Sequence, residues 1–128
     1  MPVPISASYA SVLAILYVVL SFRVAMRRLR FKVGLGTGES PELERAVRIH
    51  GNFAEYVPFA LLLLAFYEAG GGPAGAVHTG GALLVVARLL HAVGLTGSSG
   101  RSPGRFTGVM LTWGLLIALA AGNLALSL

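Results

Sequence analysis

Two long stretches without any charged side chain most constrain what this chain can fold into. Residues 1–22 and 106–128 contain no Asp, Glu, Lys or Arg, and each is longer than the ~20 apolar residues that a helix needs to cross a bilayer. Residues 49–67 and 73–95 are apolar apart from a few polar side chains. The sequence therefore predicts four transmembrane helices, over residues 4–26, 41–68, 74–96 and 104–127.

Composition supports a membrane protein of a single domain. Charged residues make up 12% of the chain, whereas soluble domains contain roughly 25%. No fixed repeat and no second domain are visible, so we expect residues 1–128 to form one all-α integral membrane four-helix bundle. The first apolar tract lacks the basic amino-terminal region and the cleavage site of a signal peptide, so we interpret it as a helix.

The placement of the basic residues argues against nucleic-acid binding, although the net charge is +5. They cluster in two of the three loops, where they are typical of topology signals and contacts with lipid headgroups. By the positive-inside rule both loops face the cytoplasm, which places both termini on the opposite side. These residues are Arg23, Arg27, Arg28, Arg30 and Lys32 after helix one, and Arg101 and Arg105 before helix four.

The chain contains no cysteine. It therefore has no disulfide and no thiolate metal site or nucleophile of its own, and any thiol chemistry must arrive with a ligand. We predict no metal site.

A stripe of polar residues enters the second apolar tract. Arg45, Arg48, Asn52 and Glu55 are spaced by three, four and three residues, so they lie on one face of a helix. An ionised carboxylate in the bilayer costs several kcal/mol unless it is paired. Glu55 has no cation one turn away on its own helix, so we expect its partner on another helix, another subunit or a ligand.

Other helices bring cations to the same membrane depth. Arg88 and His91 lie near the cytoplasmic end of helix three, Arg105 begins helix four, and Arg23 ends helix one. With Asn52 and Glu55 these residues predict a polar pocket in which Arg88 is a candidate binding residue.

Three of these polar residues also have a structural interpretation. The side chain of Arg88 alternatively extends to the membrane–water interface, and Arg45 is alternatively a residue of that interface. Asn52 alone is also typical of a hydrogen bond between helices. Gly104 and Gly108, separated by three residues, permit close helix packing.

The runs "ERAVRIHGNFAEYVPFALLLL", "RLLHAVGL" and "RSPGRF" resemble the MAPEG family, the membrane-associated proteins in eicosanoid and glutathione metabolism. The resemblance covers essentially the whole chain, and its most specific part is the pattern of helix two from Glu44 to Glu55. The short chain and small loops look most like bacterial members related to microsomal glutathione transferases, which implies a bacterial inner membrane.

The resemblance implies a homotrimer that binds glutathione, as cosubstrate, between subunits near the cytoplasmic face. It implies an enzyme that transfers glutathione to lipophilic electrophiles or reduces lipid hydroperoxides. By motif position, Arg48, Asn52, Glu55 and His91 would contact glutathione. Arg105 would lie close to the sulfur as the catalytic residue, and Arg23 corresponds by its place at the end of helix one to another glutathione-binding arginine.

Elementary chemistry agrees with these roles. Arginines such as Arg48 bind carboxylates, and a buried carboxylate such as Glu55 suits an ammonium group. The thiolate is the reactive form of a thiol, and a nearby guanidinium such as that of Arg105 stabilises it.

The chain departs from better-studied family members at four positions. Leu95, Phe106 and Val109 stand where such members carry hydroxyl-bearing side chains, and Gly51 replaces an arginine. The lost hydroxyls argue against prostaglandin synthesis, because they remove groups that bind or activate the thiol.

Two other classes stay open at this point. The first is a non-catalytic membrane protein of the same family that binds lipid or another ligand. The second is a small exporter of cationic compounds, which is less compatible with the sequence because Glu55 lies among arginines that repel cations.

Overall fold

Four long α-helices make up the fold. The computed structural model describes residues 2–97 and 102–128 of the chain, so the predicted loop residue Arg101 lies outside the described residues. Each helix is long and apolar enough to cross a membrane, which confirms the all-α prediction. In chain order the helices are α1 (Pro4–Phe31), α2 (Pro41–Ala69), α3 (Ala74–Gly97) and α4 (Pro103–Ser127).

The first helix is longer than its apolar tract. The predicted end at residue 26 is wrong, because α1 continues for five more residues to Phe31. Arginine and leucine are good helix formers in water as well as in lipid, so leaving the bilayer does not end a helix. Lys32 ends it with a left-handed backbone at φ 56°, and its N–H donates to the carbonyl of Arg28. The other helix ends lie within one residue of their predicted positions.

Helices α2 and α3 occupy the centre of the bundle, because each of them contacts the other three helices. Within the described residues no Cα atom of α1 lies within 8 Å of a Cα atom of α4. Side chains from all four helices, including Leu20, Phe53, Leu84 and Leu115, form one buried apolar cluster.

Helices α3 and α4 pack backbone against backbone. A Cβ atom on Gly108 would lie 2.5 Å from the carbonyl oxygen of Ala87 and 2.7 Å from the amide nitrogen of His91, and one on Gly94 would lie 2.3 Å from the nitrogen of Arg105. The close packing expected at Gly104 and Gly108 is confirmed, since Gly104 lies against Leu90 and Gly94 of α3.

The carboxylate of Glu68 joins the end of α2 to the start of α1. The two oxygens of Glu68 accept hydrogen bonds from the backbone N–H groups of Ile5 at 3.0 Å and Ser6 at 2.7 Å. The first N–H groups of a helix have no partner within the helix and carry a partial positive charge. Glu68 therefore caps α1 from the end of α2.

Alanine substitution at two glycines of α4 tests the close packing. We expect Gly108→Ala to lower the free energy of unfolding by roughly 1–3 kcal/mol, because the added methyl group meets the fixed backbone of α3. Gly114 has no atom within 4 Å of the corresponding position, so Gly114→Ala is the matched control. It should be neutral or stabilising by up to about 1 kcal/mol, since alanine favours helix more than glycine does. Thermal unfolding in detergent measures both, and equal effects would contradict the close contact.

Candidate functional site

A buried guanidinium joins three helices near the predicted pocket. Arg88 of α3 is 2% exposed, so the alternative in which it extends to the interface is wrong. Its Nη2 group donates to Oδ1 of Asn52 on α2, and its Nη1 group donates to Oγ1 of Thr112 on α4 at 3.3 Å. The Thr112 hydroxyl in turn donates to the carbonyl of Gly108 at 2.8 Å, which leaves its lone pairs to accept from Arg88. Asn52 thus makes the inter-helix hydrogen bond that its structural interpretation predicts.

An imidazole lies one turn beyond Arg88. His91 is 2% exposed, and its Nδ1 atom is buried without a hydrogen-bond partner within the described part of the chain. The charges of Arg88, Arg105 and Arg48 all act on it. His91 therefore lies among cations contributed by three helices, with one ring nitrogen buried and without a hydrogen bond in the described part of the chain.

Glu55 pairs with a cation on its own helix. Its Oε1 atom lies 3.6 Å from Nη1 of Arg48, so the expectation that its partner comes from elsewhere is wrong. The two residues are seven positions apart, which is two helical turns or about 10 Å of rise. Helix spacing rules consider only pairs one turn apart, so they do not predict this one. The two long side chains extend toward each other along the helix and so come into contact.

Gly51 leaves the space that this ion pair occupies. A Cβ atom there would lie 3.3 Å from Nη1 of Arg48 and 4.0 Å from Oε1 of Glu55. A longer side chain at position 51 would compete with the pair for the same surface of α2. The glycine at this position therefore leaves room for the Arg48–Glu55 pair.

The pair faces away from the core of its own bundle. Arg48 and Glu55 have side chains that are 54% and 55% exposed, whereas Phe53 and Val57 are buried. At 100° per residue, Glu55 lies roughly opposite these two on α2. An ion pair is therefore presented on the outer surface of α2, at the start of its apolar tract.

The four residues of the predicted stripe lie in three different surroundings. Asn52 turns inward to Arg88, and Arg48 with Glu55 turns outward. Arg45 lines a cavity of about 170 Å³ between α1 and α2, together with Arg23. Arg23 and Arg45 thus share a cavity that the other stripe residues do not line.

Arg105 lies in the first turn of α4, beside an open groove of about 690 Å³. Its backbone N–H donates to the Oγ atom of the N-cap residue Ser102 at 3.1 Å. Phe106, Val109 and Met110 line the same groove. The groove therefore has an apolar wall beside a guanidinium.

The sequence did not point to one of the site's contributors. Thr112 accepts from Arg88 across 24 residues of chain. A threonine inside an apolar helix carries no local signal for such a bond. His50, which also lies on α2, contacts α1. Its Nε2 atom lies 2.9 Å from Oγ of Ser21, and its ring stacks on Tyr17.

Substitution of Asn52 tests the buried network. We expect Asn52→Leu to lower the free energy of unfolding by about 1–3 kcal/mol, because the buried guanidinium of Arg88 loses an acceptor. Asn52→Asp keeps an oxygen acceptor at the same place and should retain most of the stability. Thermal unfolding of both variants in detergent measures the difference, and an equal loss in the two would contradict a specific role for the acceptor.

Comparison with known proteins places the chain in a family. Residues 6–125 match the MAPEG family. The chain is also similar to the inner membrane protein YecN of two Escherichia coli strains, K12 and O6:H1 (CFT073). Each comparison is 38% identical over 120 residues and covers 94% of this chain and 90% of the relative. With four helices that are each able to span a membrane, the chain is a membrane protein belonging to the MAPEG family.

Proposed function

We propose that this protein is a glutathione-dependent membrane enzyme that acts on lipophilic electrophiles or lipid hydroperoxides. The observation that supports this most is the Arg48–Glu55 pair, exposed on the outer face of α2 inside an apolar tract. An exposed pair of opposite charges is costly in lipid. It is useful where a polar, zwitterionic ligand must be bound beside the membrane.

The charges of the pair complement those of glutathione. The γ-glutamyl end of glutathione carries an ammonium group and a carboxylate on one carbon atom. Arg48 and Glu55 present a cation and a carboxylate 3.6 Å apart, so the ligand can exchange their mutual contact for two charge-assisted hydrogen bonds. The free carboxylate of the glycine end would bind a further arginine.

The exposed pair also supports assembly into a homotrimer. Facing lipid, Arg48 and Glu55 would lose hydration without gaining further polar partners, which costs several kcal/mol. A second copy of the chain that covers this face removes the pair from lipid and leaves room for glutathione between protomers. We propose three protomers because the family resemblance implies a trimer.

Arg105 and the groove beside it supply the reactive end of the proposed site. Its guanidinium stabilises the thiolate of bound glutathione, while Phe106 and Met110 favour an apolar substrate arriving from the bilayer. In transfer, the thiolate attacks an electrophilic carbon and forms a thioether, either by displacing a leaving group as its anion or by adding to an activated double bond whose other carbon then takes up a proton. In peroxide reduction, it attacks the terminal oxygen of a hydroperoxide and releases an alcohol. A second glutathione then reduces the sulfenic acid, giving glutathione disulfide and water.

We further propose that the protein lies in a bacterial inner membrane, as the names of its Escherichia coli relatives state for them. The basic ends of α1 and α4 would face the cytoplasm, and both termini the other side. Glutathione, a cytoplasmic thiol, would then reach the site directly.

Removal of the Glu55 charge tests glutathione binding. We expect Glu55→Gln to weaken binding roughly ten- to hundredfold, because a hydrogen bond between charged groups is worth about 1.5–3 kcal/mol. Glu39→Gln removes the same charge from the loop before α2 and should bind as the wild type does. Calorimetric titration of the detergent-purified protein measures both, and native mass spectrometry of the same sample gives the number of protomers.

The outcomes separate the candidate functions. Folded wild type that binds no glutathione at millimolar concentration would overturn the proposal. Binding without turnover of any electrophile or hydroperoxide would favour the second candidate, a family member that binds a ligand or lipid without catalysis.

Substitution of Arg105 tests the chemical step separately. We expect Arg105→Gln to lower kcat on the order of 10²-fold, since one charge-stabilising group is removed, with a much smaller change in the dissociation constant of glutathione. The ultraviolet absorbance of enzyme-bound thiolate should fall in parallel. Lys32→Gln is the control because it removes one positive charge at the end of α1. If kcat and thiolate absorbance are unchanged in Arg105→Gln, Arg105 is not the catalytic residue.

A further inference from the structure

A second, smaller cavity lies between the cytoplasmic ends of α1 and α2. It has a volume of about 170 Å³, and we refer to it as the arginine pocket. Its polar lining consists of three arginines and one carboxylate, and two apolar residues complete it. These residues are Arg23, Arg27, Glu42, Arg45, Ala46 and Ile49.

The cations of the arginine pocket outnumber its carboxylates. Glu42 Oε1 lies 3.2 Å from Nε of Arg27 and 3.7 Å from Nη1 of Arg30, which lies outside the lining. One carboxylate therefore serves two guanidinium groups. The charges of Arg23 and Arg27 act on each other, and Arg45 adds a third cation to the lining. The lining has a net charge of +2, three arginines less one carboxylate, which an anion would offset.

The Arg27 side chain is held in place for such a ligand. Besides the contact of its Nε atom with Glu42, its Nη1 group donates to the backbone carbonyl of Arg23 at 3.4 Å. A guanidinium anchored in this way loses little further side-chain entropy when its remaining N–H donors bind an anion.

The size of the pocket restricts the anion. A water molecule takes up about 30 Å³ of liquid volume, so the cavity has room for five or six waters or for one tetrahedral oxyanion with one or two waters. It is smaller than the roughly 300 Å³ at which pockets for larger organic ligands begin. The size of the arginine pocket therefore favours a small oxyanion over a whole glutathione molecule. Of the residues that the resemblance assigns to glutathione, only Arg23 lines it.

The depth of the pocket indicates the source of the anion. Arg23 follows directly on the charge-free residues 1–22, and Ile49 begins the apolar tract of α2. The pocket therefore lies at the edge of the apolar region, at the level where phospholipid phosphates lie.

We propose that the arginine pocket binds a phosphate group, supplied at this depth by the headgroup of an anionic phospholipid. Arginine forks match phosphate oxygens in geometry and charge. The bound headgroup would hold the cytoplasmic ends of α1 and α2 together by bridging Arg27 and Arg45. This proposal does not depend on the thiol chemistry.

Two single variants and one control test the site. We expect Arg27→Gln and Arg45→Gln each to weaken lipid retention about fivefold, since a basic residue near the membrane surface contributes about 1 kcal/mol. Lys32→Gln removes the same charge one residue beyond α1 and should retain lipid to within about twofold of wild type. Native mass spectrometry of protein reconstituted with phosphatidylglycerol measures retention. Calorimetry with inorganic phosphate in neutral detergent tests a soluble source.

Glu42→Gln gives an effect that a folding defect would not produce. It removes the carboxylate that competes for Arg27, so phosphatidylglycerol should bind about fivefold more tightly. If the protein retains phosphatidylglycerol and does not bind inorganic phosphate, the bound phosphate is that of a lipid headgroup. If the protein binds inorganic phosphate, the ligand is a soluble anion.

Three results would overturn the proposal. They are equal losses in all three cation variants, weaker binding by Glu42→Gln, or displacement of the phosphate probe by glutathione. Glutathione titration of Arg27→Gln keeps this test apart from the proposed function, because thiol binding should be unchanged in that variant.

Discussion

The rest of the structure depends on one buried cation, the guanidinium of Arg88. Taking such a group out of water costs several kcal/mol unless its donors are paired. Its acceptors come from two other helices, Asn52 on α2 and Thr112 on α4. The helices can therefore adopt only those axial positions and rotations that bring both acceptors to Arg88. This requirement determines which polar groups of α2 turn inward and which remain on its outer face.

Glycine-mediated packing of α3 and α4 determines the position of the predicted catalytic group. Because Gly94 and Gly108 carry no side chains, the backbones meet, and Arg105 in the first turn of α4 lies within electrostatic range of His91. The bundle therefore holds His91 inside and presents Arg105 at an open groove. It leaves the Arg48–Glu55 pair on an outer face of α2, so the proposed site needs a neighbouring protomer to enclose it.

Much of the fold could be predicted because its signals are local. Apolar length indicates the helices. Ser40 before Pro41 is a typical N-cap followed by a first helical residue, and in the structure the Ser40 hydroxyl accepts from the N–H of Leu43 at 3.2 Å. The site was predictable only as a set of residues. The Glu55 partner was predicted wrongly because Arg48 lies two turns away, and the reach of two extended side chains over Gly51 is not a regular helix spacing.

The sequence by itself determined that the chain forms four membrane-length helices of the MAPEG family with a polar stripe on the second, because hydrophobicity, helix caps and motif spacing belong to single segments. Tertiary structure alone decided the partner of each polar group. The bonds of Arg88 to Asn52 and of Glu68 to Ser6 join residues 36 and 62 positions apart. Such pairings depend on how the helices approach one another, which the properties of a single segment do not determine.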